Sequence, residues 1–307
     1  MKERFIDKLK RVIHSGRNAK LLEYALKQHL YIQNALNSKE PGISKEKLCG
    51  EEVIVSLTSY GRRIHDVAPT IESIMQGSMK PNRIVLWLGY ELKDETLPIA
   101  LKKQQERGLE VIFCKDIRSY KKLVPALRKF PDATIITIDD DVLYPYDLVE
   151  RLVNEHIKYP KDIISNRVHR VKLGKDGKPI VYAKWDIGTT IIDDSPLNFE
   201  TGVGGVIYPA HCFDSEVTNE EVFLDMCKNA DDVWFYCMAL KNGTRVRKCP
   251  THRADGEDFL SNDVVQDTGL LHINTTKRGR CANDDQLEAV MNRYELWGLL
   301  KELKSEE

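Results

Sequence analysis

The rhythm of apolar and polar positions changes once along the chain, near residue 50. Residues 1 to 48 read as two helices, with a breaker at Glu40-Pro41-Gly42. From residue 52 short apolar runs alternate with stretches of helical spacing, the pattern of an open α/β sheet. Val53-Ile54-Val55-Ser56-Leu57 is the first predicted strand, and Val67, Ile71, Ile74 and Met75 mark a helix near 67 to 76. Arg83 to Leu88 predicts a second strand, followed by a helix near 95 to 107 that stops at Gly108. Leu109 to Cys114, Thr134 to Ile138 and Val206 to Tyr208 predict further strands. Helices are predicted over Ser119 to Lys129, Asp147 to Tyr159, Asp231 to Lys241 and Asp284 to Lys304. Arg167 to Leu173 and Ile180 to Trp185 flank Gly174-Lys175-Asp176-Gly177-Lys178-Pro179, a turn sequence that predicts a hairpin. Residues 250 to 283 are polar and predict a mobile loop. The expected division is an N-terminal helical extension, 1–48, and one α/β domain, 49–307.

Composition narrows the function classes. In 307 residues, 42% are hydrophobic, enough for a large core. The formal net charge is −1, which argues against a nucleic-acid binder, since neutralising phosphates needs a basic excess. No run reaches the roughly 18 apolar residues of a membrane span, and MKERFIDKLKRVIH lacks the apolar core of a secretory signal. Seven cysteines without a CxxC pair suggest reduced thiols, so a cytoplasmic location is expected. Lys2, Arg4, Lys8, Lys10, Arg11, Arg17 and Lys20 accompany Phe5, Ile6, Leu9, Val12 and Ile13 at helical spacing. Such a basic amphipathic helix either packs on protein or makes peripheral contact with the inner face of an anionic cell membrane.

The chemistry concentrates at Asp139-Asp140-Asp141, directly behind the apolar run Thr134 to Ile138. Three carboxylates at the end of a buried strand repel one another and suffer desolvation unless a cation neutralises them. Mg²⁺ or Mn²⁺ does so with oxygen ligands and can hold a diphosphate in turn. The plain alternative is a solvated acidic turn capping the next helix.

Four segments extend this reading: VSLTSYGRR, SYKKLVPALRKFPDATIITIDDDVLYP, TGVGGVIYP and ADDVWFYCMALKNG. In this order over residues 52 to 250 they resemble the GT-A fold glycosyltransferases, and among these the bacterial enzymes that build surface polysaccharides. The resemblance implies a GT-A (Rossmann-like) mixed sheet flanked by helices. It also implies transfer of a sugar from a nucleotide-sugar donor, expected to be a UDP-sugar, to a saccharide or lipid-linked saccharide acceptor. Thr58, Ser59 and Tyr60 would border the nucleotide, while Arg62 and Arg63 would reach the diphosphate as bidentate donors. Asp139 and Asp140 would lie at the donor. Asp139 would contact the ribose or metal-bound water, and Asp141 the metal directly. His272, in Leu271-His272-Ile273-Asn274, would complete the metal shell. Gly204 and Gly205 would let backbone approach the donor sugar, and Lys121 and Lys122 would contact the donor. Of the pair Asp231-Asp232, the first is read as a helix cap and the second as the catalytic base, which implies inversion. Many relatives carry an acidic residue after the second strand to read the base. Here that place runs Leu86-Trp87-Leu88-Gly89-Tyr90, so base reading is assigned to Asp116.

Other readings fit less well. A sugar nucleotidyltransferase needs a Gly-rich phosphate loop after the first strand, and SLTSYGRR holds one glycine. A phosphohydrolase would carry its nucleophile behind the first strand. A carbohydrate-binding protein without activity leaves the acidic triplet unexplained. Cys249, His252, His272 and Cys281 match no compact zinc spacing.

Overall fold

The computed structural model describes residues 2–253, 256–261 and 279–305, with side chains described over 18–253, 256–261 and 279–300. Its centre is an eight-stranded mixed sheet of order β3-β2-β1-β4-β10-β6-β11-β8. β1 (Val53–Thr58), β2 (Arg83–Gly89), β3 (Leu109–Cys114) and β4 (Thr134–Thr137) are parallel. β10 (Val206–Tyr208) runs antiparallel to β4 and to β6 (Ile163–Ser165). β11 (Val246–Lys248) is parallel to β6, and the short β8 (Asp194–Ser195) closes the edge. After β1 the chain steps outward through β2 and β3, then returns to lay β4 on the other side of β1. That reversal makes the carboxyl ends of β1 and β4 a topological switch point, where α/β sheets gather ligands.

Strand residues alternate between two cores, as a sheet covered on both faces requires. Ile54, Val85, Ile135, Val206 and Tyr208 face one cluster, and Val53, Val55, Leu57, Leu86, Ile136 and Ile207 face the other. The first cluster is covered by α4 (Val124–Lys129), α6 (Glu220–Met226), α7 (Asp231–Lys241) and two C-terminal helices, Ala282–Arg293 and Leu296–Ser305. The second is covered by α2 (Ala68–Met75), α3 (Ile99–Gln105) and α5 (Leu148–Lys158). α1 (Lys2–Asn37) is one helix of 36 residues rather than two and lies over α2 and α3. Gly16 in its interior weakens a helix by only about 1 kcal/mol, too little to end one this long.

Three further expectations need correction. The helix predicted over Ser119 to Lys129 is a 3-10 turn, Arg118–Lys122, followed by α4. Pro125 forbids continuation, because its ring would strike the carbonyl of Lys121. The hairpin predicted around Gly174 to Pro179 has only isolated bridges, Arg170↔Asp186 and Leu173↔Pro179. β7 (Val168–Arg170) pairs instead with β9 (Asn198–Glu200). The last predicted helix is broken at Glu295, whose φ of 54° turns the chain so that Leu296 and Leu300 enter the core. Within the predicted loop 250 to 283, β12 (Leu260–Ser261) pairs with β5 (Val142–Leu143). Residues 262–278 lie outside the described residues.

A buried ion pair fastens the helical layer. Glu72 on α2 is 0% exposed and its carboxylate accepts from Arg107 Nη1 at 2.8 and 2.9 Å and from Gln104 Nε2 at 3.0 Å. Arg107 Nε donates to the Glu40 carbonyl at 2.7 Å, tying the segment after α1 to the same point. Arg107→Met should destabilise the protein by about 3–5 kcal/mol, because it leaves Glu72 charged and unpaired in the core. Adding Glu72→Leu should recover most of that loss, measured by denaturant unfolding of both variants.

Candidate active site

β1 and β4 end side by side, and the residues that follow them form one cluster of charge. Asp140 sits at its base, 9% exposed. Its carboxylate accepts from Ser59 Oγ at 2.7 Å and from Arg63 Nε at 3.1 Å, and Arg63 Nη2 closes a second bond to it. Thr70 Oγ1 donates to the Asp140 carbonyl at 3.0 Å. Asp141 shares the same guanidinium, with Arg63 Nη2 2.9 Å from its Oδ2. Arg63 therefore faces the acidic triplet, and Tyr60, half exposed, lies with its ring 5.5 Å from that guanidinium. Thr58 Oγ1 donates to the Trp87 carbonyl at 2.8 Å, and Arg62 is exposed.

Asp139 belongs to a second group. Its backbone N–H donates to Tyr144 Oη at 2.9 Å, and that hydroxyl donates to the Val203 carbonyl at 3.0 Å. Its carboxylate lies 3.0 Å from Lys122 Nζ, which also lies 3.1 Å from Asp231 Oδ2. Ser119 Oγ donates to Asp231 Oδ1 at 2.8 Å. Asp231 is thus not the cap of α7: that position is Ala230, and no side chain caps the helix. The lysine and serine hold the carboxylate away from the helix end. Asp232 Oδ1 accepts from the Gly202 N–H at 3.2 Å, and the residue as a whole is partly buried.

Lys122 reaches this position because its 3-10 turn is pinned to β1. Ser56 Oγ donates to the Lys122 carbonyl at 2.5 Å and accepts from Trp87 Nε1 at 2.9 Å. The turn Gly202–Gly204 leaves the necessary space. A Cβ at residue 202 would stand 2.4 Å from Lys122 Nζ, and one at Gly204 would stand 2.8 Å from Arg167 Cβ. Gly205 has a φ of 87°, a conformation open to glycine.

Lys121 lies apart from this cluster. Both lysines are buried, but Lys121 Nζ pairs with Asp116 at 2.8 Å. Asp116, half exposed, stands beyond β3, two strands from β1. His272 lies outside the described residues, as do the side chains of the basic stripe over residues 1–17.

Charge in the cluster is unbalanced. Asp139, Asp140, Asp141, Asp231 and Asp232 face Arg63 and Lys122, five carboxylates against two cations. Burial raises Asp140 to about 6 against the pull of Arg63, and it raises Asp141 as well, aided by Asp139. Burial also raises Asp232 well above the usual carboxylate range, with Asp231 and Asp139 adding to the effect and Lys122 opposing it. For Lys122, burial favours the neutral amine, but Asp139, Asp231 and Asp232 hold it firmly protonated. Excess negative charge of this kind fits a divalent cation with oxygen ligands. Asp139 is held by Lys122 and Asp141 by Arg63.

The sequence reading missed Ser119, Thr70 and Tyr144, which position the acids, and Glu200. Glu200 is fully buried on β9, neither carboxylate oxygen has a hydrogen-bond partner, and burial raises its pKa strongly. Alternation places Glu200 on a core face, where a charged residue stands out as an exception. Ser119 and Tyr144 carry no comparable signal.

The shift at Asp140 has a testable sign. A carboxyl whose folded pKa lies above its unfolded value binds its proton more tightly when folded. Its contribution is therefore fully present below the ordinary value of 3.8 and is lost as pH rises through about 6. His169, buried and lowered to about 3, acts oppositely below its ordinary 6.5. The difference between wild type and Asp140→Asn isolates the aspartate. In chelator, the penalty of Asp140→Asn should shrink by a few kcal/mol at most between pH 4 and pH 7, read from denaturant unfolding at each pH.

No family model matches the chain, and no curated protein matches it. Among solved structures, it is similar to the mannosyltransferase PcManGT from Pyrobaculum calidifontis, solved in complex with GDP-Man and Mn²⁺. That likeness covers 76% of this chain and 65% of the other, just under two thirds of its length, at 15% identity and a TM-score of 0.43. The chain is also similar to S. aureus TarS 1-349, over 79% of this chain and 71% of that one, at 14% identity and a TM-score of 0.44.

Proposed function

We propose that this protein is a metal-dependent glycosyltransferase of the GT-A type, with its catalytic domain over residues 49–307. It would move a sugar from a nucleotide-sugar donor to a saccharide or lipid-linked saccharide acceptor, as in the building of bacterial surface polysaccharide. The observation that carries this reading is the unbalanced acidic cluster at the β1–β4 switch point, joined through Lys122 to the acidic start of α7. Mn²⁺ or Mg²⁺, held by Asp139 and Asp141 and in part by the donor's own phosphates, would neutralise charge on the diphosphate.

The chain's own residues divide the remaining work. Arg63 and Ser59 fix Asp140 and so the backbone that presents its two neighbours. Lys122 remains protonated and holds Asp139 and Asp231 in one place. Asp232, oriented by the Gly202 N–H, is the base. As the acceptor oxygen bonds to the anomeric carbon, the bond from that carbon to the diphosphate oxygen breaks and the acceptor proton passes to Asp232. A base raised toward neutral pH suits this role, because it binds the proton well while remaining partly ionised. Base and leaving group on opposite sides of the sugar imply single displacement with inversion. A sugar nucleotidyltransferase would use the same cleft, but the loop after β1 is a 3-10 turn, Gly61–His65, with one glycine.

Asp232→Asn should lower transfer by roughly 10²- to 10⁴-fold with donor affinity nearly unchanged. The wild-type rate should rise with pH through an ionisation above the ordinary carboxylate range. Transfer kinetics and the anomeric configuration of the product by NMR check both. Near wild-type transfer by the variant, or a retained configuration, would remove Asp232 from the role of base.

α1 is proposed to meet an anionic membrane at the cytoplasmic face. The basic residues at 2–20 support this, and Leu22, Leu26 and Leu30 form an exposed row four residues apart. Deleting residues 1–20 should release the protein from anionic liposomes in a low-salt sedimentation assay, with turnover on a soluble acceptor unchanged. Failure of the intact chain to bind would assign the helix to protein contact.

A further inference from the structure

At the opposite ends of the same strands lies a second group of donor atoms. Cys49, Glu51 and His156 each offer one metal-ligating atom, and these atoms lie within 4.8 Å of one another. Among the described residues, no other group of three or more His, Cys, Asp and Glu side chains converges in this way. Cys49 and Glu51 are exposed on the segment before β1, and His156 is 2% exposed near the end of α5.

The local backbone is unusual for these residue types. Glu51 N–H donates to the Leu48 carbonyl at 2.8 Å, closing a tight turn with Cys49 at φ 47° and Gly50 at φ 81°. Two positive φ values in succession define a mirror-image turn whose first central place favours Asn, Asp or Gly. Cysteine there is strained, and strain of this kind collects where a side chain has a task. Glu51 is held in place because Thr134 Oγ1 donates to its Oε2 at 2.5 Å. His156 Nε2 is 3.4 Å from the same oxygen, too long for a strong bond, and its Nδ1 is buried with no hydrogen-bond partner. The ring is thus poorly satisfied by the protein alone.

We propose that Cys49, Glu51 and His156 form a Zn²⁺ site, with solvent as the fourth ligand. Thiolate, imidazole and carboxylate are the donor set of a borderline-soft ion, whereas the all-oxygen cluster at the other end of the sheet suits a hard one. Zinc would draw the three side chains to about 2.0–2.3 Å from one centre. It would also join the turn before β1 to the end of α5, residues 105 apart in sequence between Glu51 and His156. Closing so long a loop stabilises the fold. Zinc takes cysteine as the thiolate, so its uptake should release a proton and strengthen as pH rises.

Co²⁺ serves as the probe, because a thiolate ligand gives a sulfur-to-cobalt charge-transfer band that carboxylate sites cannot produce. The chelator-treated full chain should develop this band with one equivalent of Co²⁺ and lose it when Zn²⁺ is added. Cys49→Ser should abolish the band. His156→Gln should weaken cobalt binding by more than the roughly 10- to 100-fold that loss of an outer partner alone costs. At a hundredfold excess over Kd, zinc should raise the wild-type unfolding midpoint by about 5 °C more than that of Cys49→Ser. Cys49 is exposed, so its serine variant tests the proposal even where His156→Gln fails to fold. Absence of the band in wild type, or its survival in Cys49→Ser, would overturn the site. Neither result depends on sugar transfer, which uses the other end of the sheet.

Discussion

One buried ammonium holds the candidate active site together. Lys122 Nζ lies between Asp139, at the end of β4, and Asp231, at the start of α7, so a single cation joins the parallel half of the sheet to the helix that follows the antiparallel half. Its removal would leave two carboxylates facing each other with little solvent, a loss typically of about 3–5 kcal/mol for a broken buried pair. A missing atom also helps the arrangement, since a Cβ at Gly202 would crowd the ammonium and make it shift. Ser56, Trp87 and the break before Pro125 serve the same end, because they set where the turn carrying Lys122 must lie.

Lys122 and Arg63 do not neutralise what surrounds them. Without a further cation, the excess charge is relieved by proton uptake, which is why burial and mutual repulsion raise Asp140, Asp141 and Asp232 together. A divalent metal bound there, as proposed, would compete with protons for the same carboxylates, so its affinity should fall on acidification. Asp232 stands at the edge of this field. Its environment raises its affinity for a proton and is itself sensitive to whether the neighbouring acids are ionised.

The parallel half of the sheet was legible because β1 to β4 are short β-branched runs whose alternation between two cores leaves a plain trace. The acidic triplet was legible for a similar reason, since three carboxylates behind a buried strand demand an explanation. The role of Lys122 was harder to see. Adjacent lysines usually lie in solvent, and nothing in one dimension shows that one pairs with Asp116 and the other with Asp139 and Asp231. Asp231 was misread as a helix cap because capping is a local rule, whereas Lys122 and Ser119 are more than a hundred residues away. β7 and β9 were hidden for the same reason: a strong turn at Gly174 suggested local pairing, but the lasting partner of Val168 to Arg170 is Asn198 to Glu200.

In the proposed function, the acidic cluster binds a nucleoside diphosphate through a divalent metal. Thermal unfolding with UDP, GDP and CMP, each with Mn²⁺ or with chelator, tests it directly, because a ligand that binds only the folded state raises the midpoint by mass action. Protection is expected from one nucleoside diphosphate, present with Mn²⁺, absent in chelator and lost in Asp141→Ala. Equal protection with and without metal, or protection that survives Asp141→Ala, would contradict it.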